Sequence, residues 1–204
     1  MERSVHHERH TGSTVSFFSK VRKHFGYLIN DHDFAVVHQE DIQSFDNCLI
    51  VLQSSNCRIR VVRDRGTVLV EAGPLSAPSV HRPPGSPNLW FSLSTIITYL
   101  EQDFNADKDW FYASPKESID DDEAKIDWEL ALAADTLRPY LDDIMHLFQE
   151  STFGQKQGKL EEFRERRKEV TWQRVMSSAT RENGKVFPED LELHPRTSKV
   201  KPPS

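Results

Sequence analysis

Little in this chain is suited to covalent chemistry. It has no GxxxxGK[ST] phosphate loop, no HExxH, no GxSxG and no CxxC pair. The motifs that cradle phosphates, hold catalytic zinc, expose an activated serine or form a redox dithiol are therefore missing. Asp64 and Glu71 fall near predicted strand ends, as nuclease carboxylates do. Glu71, however, is followed by Ala72-Gly73 rather than by the acid-x-Lys pattern that metal-assisted water attack needs. The sequence calls for no cofactor and no metal, and it leans away from an enzyme.

Cysteine is scarce. Cys48 and Cys57 are the only two, and in the hairpin described below their Cα atoms stand more than ~7 Å apart, too far to bridge. Free buried thiols fit a reducing cytoplasm. No apolar run approaches the roughly 20 residues that span a bilayer, and no secretory pattern opens the chain. The expectation is a cytoplasmic protein without a membrane segment. Apolar residues make up 37% of the 204 and charged residues 28%, with a net charge of −6. A typical globular figure is roughly 45–50% apolar, counting glycine. One compact domain with polar extensions fits these values.

What the chain does have is a β-rich centre. Residues 49–71 read LIVLQSSNCRIRVVRDRGTVLVE, three Val/Ile/Leu-rich runs separated by two turn signals. Arg65-Gly66 predicts a two-residue hairpin loop. Counting outward pairs Asp64 with Thr67, Val62 with Leu69, Val61 with Val70 and Arg60 with Glu71. The first turn, read as the three residues Ser54-Ser55-Asn56, places Leu49 and Val51 on the face of Ile59, Val61 and Val70. The opposite face then holds Arg58, Arg60 and Glu71 among Ile50, Leu52, Val62 and Leu69, a mixed surface to be covered by a helix or a partner. FAVVH at 34–38 adds a first strand.

Helices flank this meander. Phe17, Phe18, Val21, Phe25 and Leu28 recur at helical spacing, with Gly26 expected to end the helix. In 92–102, Ser92 is the candidate cap and Leu93, Ile96, Ile97 and Leu100 form a stripe. From 124 to 148 a stripe runs through Leu130, Ala134, Leu137, Leu141, Ile144, Met145 and Phe148, and Pro139 should kink or divide that helix. The predicted fold is α+β: an N-terminal helix, about four antiparallel strands in a meander, then two or three amphipathic helices on one face. The expected organisation is a disordered leader at 1–13, a single domain at 14–152, a charged helical extension at 153–176 and a disordered tail at 177–204. In the extension Arg164, Arg166, Arg167 and Lys168 interleave with glutamates, the pattern of a solvated helix. Leu160 and Phe163 look too sparse for a core face.

Several residues bear on binding. Asp120, Asp121, Asp122 and Glu123 suggest a cation site, but acids ahead of a helix also cap it and suit its positive end. No second ligand group lies at motif spacing, which favours the cap. Trp110, Phe111 and Tyr112 would be a binding patch if solvent-facing and a core seal if packed; packing is favoured. The Pro-rich stretch 73–88 reads as a tolerated insertion, or as a recognition loop with His81 and Arg82 at its tip.

Phe25-Gly26, the meander, Phe91-Ser92-Leu93 and Leu137-Arg138-Pro139-Tyr140 together resemble a group of small uncharacterised bacterial α+β proteins, some of them like immunity proteins that neutralise toxin domains. The resemblance spans about 17–148 and implies a binder without catalytic residues. Charge agrees with that. Between 101 and 150 fifteen acids stand against four bases, an excess of eleven negative charges. Such a field steers a basic protein partner. The competing reading is a nucleic-acid-associated protein using Arg58, Arg60, Arg63 and Arg65 with the basic C-terminal helix, which the negative net charge disfavours. A third is an enzyme with an unrecognised site.

Overall fold

The computed structural model describes residues 13–42, 47–80, 86–102, 119 and 121–183. Helix α1 (Ser13–Asp31) leads into a five-stranded antiparallel sheet of strands β1 (Ala35–Ile42), β2 (Asn47–Gln53), β3 (Cys57–Asp64), β4 (Thr67–Pro74) and β5 (Phe91–Ser92), in that spatial order. Helices α2 (Leu93–Glu101), α3 (Asp122–Leu137), α4 (Leu141–Phe148) and α5 (Glu150–Asn183) follow. The α+β meander is present, with one strand more than the sequence predicts. That strand is two residues long, too short to carry any alternation, and it pairs Ser92 with Glu71 and Phe91 with Ala72.

The β3–β4 hairpin has the predicted register, including Arg60 opposite Glu71 and Val61 opposite Val70. Arg65 and Gly66 both take positive φ, 50° and 76°, as a two-residue loop of the twist-compatible type requires. The phase of β2 is the reverse of the expectation. Ile50 opposes Val61 and Leu52 opposes Ile59, while Leu49 and Val51 lie with Val62 and Arg60. The cause is the turn. Gln53 pairs with Arg58, so four residues intervene rather than three. Ser54 holds that longer loop: its amide donates to the Cys57 carbonyl at 3.0 Å, and its Oγ accepts from the amides of Asn56 and Cys57, both at 3.2 Å. One added residue moves every β2 side chain to the other face. A further irregularity lies in β1, where the register shifts between Val36 and His38 and leaves Val37 bulged and exposed.

One face of the sheet carries Ile50, Leu52, Ile59, Val61, Val68 and Val70, all buried in one cluster with the helices. Phe17, Val21, Phe25 and Leu28 of α1, Leu93 and Ile96 of α2, Ile126, Leu130 and Leu137 of α3, and Ile144 and Phe148 of α4 complete it. The stripes read from the sequence face the core, with Leu100 and Met145 only partly buried against it. Gly26 does not stop α1, which runs on for five residues to Asp31. A glycine costs a helix interior only about 1 kcal/mol, less than the burial of Tyr27 and Leu28 returns. Pro139 divides the long helix as expected, through a 3₁₀ turn at Arg138–Tyr140.

The other face is covered by chain, not by a helix. Leu49 and Val51 form a second small cluster with Ala77 and Trp90, flanked by Val62 and Leu89. The described parts of the Pro-rich stretch therefore form a lid over the mixed face; His81 and Arg82 lie outside the described residues. Gly73 makes that closure possible, since a Cβ there would stand 2.6 Å from the Leu89 carbonyl oxygen.

Helix α5 begins three residues earlier than expected and continues to Asn183. Its first half is not a solvated extension. Leu160 is fully buried, and Phe163 meets Tyr99 edge-on at 5.5 Å between ring centroids. Arg164 stacks over Phe91 and donates to the Asn88 carbonyl at 2.9 Å. The compact unit reaches Arg167, and the chain from Lys168 forms a second unit, on which Trp172 is exposed. The leader through residue 12 and the tail from 184 lie outside the described residues.

Candidate functional site

Asp121 is the N-cap of α3, its carboxylate accepting from the Glu123 amide at 3.1 Å, and Asp122 is exposed in the first turn. Glu123 turns inward. It receives Lys20 Nζ at 2.8 Å and Arg63 Nη1 at 3.1 Å, tying α1, α3 and β3 together. The hydrogen bond from Lys20, with the charges of Lys20 and Arg63, holds its carboxyl below the usual value despite some burial. One turn on, Asp127 is held low in the same way, first by His24 at 3.0 Å and then by Lys23 at 3.0 Å. Glu129 accepts from the Val68 amide at 2.8 Å. The acid run thus caps and docks a helix. Asp120, Trp110 and Tyr112 fall outside the described residues. Among the described residues no group of three or more His, Cys, Asp or Glu side chains could hold a metal.

The strand arginines are engaged inside the fold. Arg58 donates to Gln53 Oε1 at 2.7 Å and to the Ala77 carbonyl. Arg60 pairs with Glu71, Nε to Oε2 at 2.8 Å, and its guanidinium lies 4.5 Å from the centre of the Trp90 ring. These contacts fasten the segments around Ala77 and Trp90 to the sheet. Cys57 is fully buried, and burial pushes its thiol up to about 12. Cys48 is also buried, and its Sγ donates to Asp41 Oδ1 at 3.7 Å. Cys57 thus lacks the exposure and thiolate character that reactivity needs, and Cys48 lacks the exposure.

What remains outward on α3 and α4 is mostly acidic, while Arg22, Lys23, Arg65, Lys159 and Arg166 are exposed on other elements. Asp122, Asp135, Asp142, Asp143 and Glu150 are exposed along α3, α4 and the start of α5. Asp135, Asp142 and Asp143 share this outer side with Arg138 and His146. Where α4 turns into α5, a cleft of about 750 Å³ opens toward the β2–β3 turn and the end of β4. Phe148, Phe153 and Pro74 form its buried floor, and Ser55, Asn56, Ser76, Gln149 and Ser151 its polar rim. Leu75, Glu150 and Gly154 complete the lining, so among the described residues one carboxylate and no cation line the space. Sequence reasoning missed this cleft, because its residues come from three separate turns that carry no shared motif. No helix among the described residues is long and apolar enough to cross a membrane. No family model matches the chain, and neither a curated protein nor a solved structure matches it.

Proposed function

We propose that this chain is a non-catalytic protein-binding module, of immunity or regulatory type, whose acidic helical surface meets a basic protein partner. The observation that carries the reading is an asymmetry of engagement. Arg58, Arg60 and Arg63 have partners within the fold, while Arg65 in the hairpin loop is exposed; on α3, α4 and the start of α5 the exposed Asp122, Asp135, Asp142, Asp143 and Glu150 outnumber the exposed Arg138. Exposed charge of one sign raises the encounter rate with an oppositely charged protein and fades with salt. Nucleic acid is the weaker reading, since phosphates need a continuous cationic surface and the exposed Lys159 and Arg166 of α5 alternate with the exposed Glu162 and Glu165.

The test is capture from the native host at low and high salt, using the natural chain and a D142K/D143K variant. A specific protein recovered at low salt, and lost both at high salt and with the variant, is the expected result. Recovery of no specific protein under either condition would count against the reading, and a gel shift of nucleic acid at low salt would replace it with the nucleic-acid alternative.

A further inference from the structure

We infer that the cleft at the α4–α5 junction receives a lysine or arginine side chain of a polypeptide partner; this rests on the acidic-surface reading and names how the partner is gripped. Its volume of about 750 Å³ lies in the range of natural ligand pockets. The floor of Phe148, Phe153 and Pro74, with the exposed Leu75 beside it, offers apolar surface to a long aliphatic stem. Cationic side chains lay such stems along apolar surface while their heads seek polar groups. Among the described residues, Glu150 is the only charged one lining the space. A phosphate or carboxylate ligand would find no cation there, whereas an ammonium or guanidinium head would find a carboxylate. The rim of Ser55, Asn56, Ser76, Gln149 and Ser151 supplies donors and acceptors alike, which suits the alternating N–H and C=O groups of a backbone.

Gly154 adds a separate observation. It lies in the first turns of α5 and lines the cleft. A Cβ built there meets nothing within 4 Å, and its φ is not in the left-handed region. Glycine weakens a helix interior relative to alanine, yet neither crowding nor backbone conformation demands one at this position. Any side chain there would occupy open space. Gly154 therefore provides both the room and a way to close it without disturbing the core.

The experiment uses the isotope-labelled full chain and a short capped peptide with one lysine flanked by leucines; a control peptide carries glutamate in place of the lysine. Amide shifts at Ser55, Ser76 and Ser151 should saturate with the lysine peptide and stay flat with the glutamate peptide. Glu150→Gln should weaken binding by about threefold, the size of one exposed ion pair. Gly154→Leu should abolish the shifts while melting at or above the natural temperature. Equal response to both peptides, or full binding by Gly154→Leu, would overturn the assignment, as would flat amides in the natural chain. If the amides stay flat while D142K/D143K still loses a salt-sensitive partner, the cleft assignment falls and the acidic-surface reading stands. If the lysine peptide seats as expected and no salt-sensitive partner is captured, the cleft stands and the broader reading falls.

Discussion

The two faces of the sheet are covered in different ways. On one, Ile59, Val61 and Val70 pack in an apolar cluster with the helices, and the polar ties to α3, Arg63–Glu123 and the Val68 amide to Glu129, lie near the strand ends. On the other, Arg58 and Arg60 stand among Leu49, Val51 and Val62 beneath an irregular segment. A helix satisfies its own backbone groups and asks only for apolar contact. An irregular cover brings unpaired carbonyls with it, and these need donors. Arg58 serves the Ala77 carbonyl, the Trp90 indole N–H serves the Pro78 carbonyl at 3.0 Å, and Arg60 lies against the Trp90 ring. Cationic side chains on a strand can therefore be brackets for a cover, and their presence in a sequence is weak evidence for a phosphate-binding surface.

The contrast is most sharply broken by a charge. Val61→Asp places a carboxylate at a fully buried position on the helix-covered face and should cost about 4 kcal/mol or more. Val62→Asp, one residue along on the half-buried opposite face, should cost less than half as much. Urea unfolding of the pair measures the difference, and equal losses would refute the distinction between the faces. A smaller effect is expected at the cover itself. Gly73→Ala drives a methyl against the Leu89 carbonyl and should cost about 2 kcal/mol. Gly26→Ala in α1, where the nearest atom is 3.9 Å away, should instead gain up to about 1 kcal/mol. Thermal melts of both variants give the comparison.

The smallest effect concerns acid. Glu123 and Asp127 are held below their ordinary values of 4.5 and 3.8 in the folded state. Their contribution is therefore complete above about pH 4.5 and lost as pH falls through the lowered values. Glu123→Gln should lower stability at neutral pH and flatten its decline below that point, measured as melting temperature against pH. An unchanged slope would show that the ties from α1 to α3 carry no pH dependence.

Legibility followed the same division. The helix stripes, the cap at Ser92, the break at Pro139 and the Arg60–Glu71 pair were readable because period and turn chemistry are local. The side chains of β2 were not, because the Ser54 loop holds one residue more than its composition advertises and only its hydrogen bonds reveal the count. Trp90 was not, because a segment without periodicity gives no sign of which residue will turn inward. Leu160 and Phe163 were hidden by the charges around them: the helix buries one narrow strip and leaves the rest wet. Of the candidate site, the capping role of Asp121 was legible. The cleft was not, since contiguity there exists only in three dimensions.

The bulge at Val37 has a consequence for solubility. With β1 at the margin of the sheet, a straight ribbon there would offer backbone groups to any neighbouring chain. The kink between Val36 and His38, with His38 and Glu40 charged or polar beside it, spoils that template. Deleting Val37 would flatten the margin and favour edge-to-edge pairing between chains, toward fibrils.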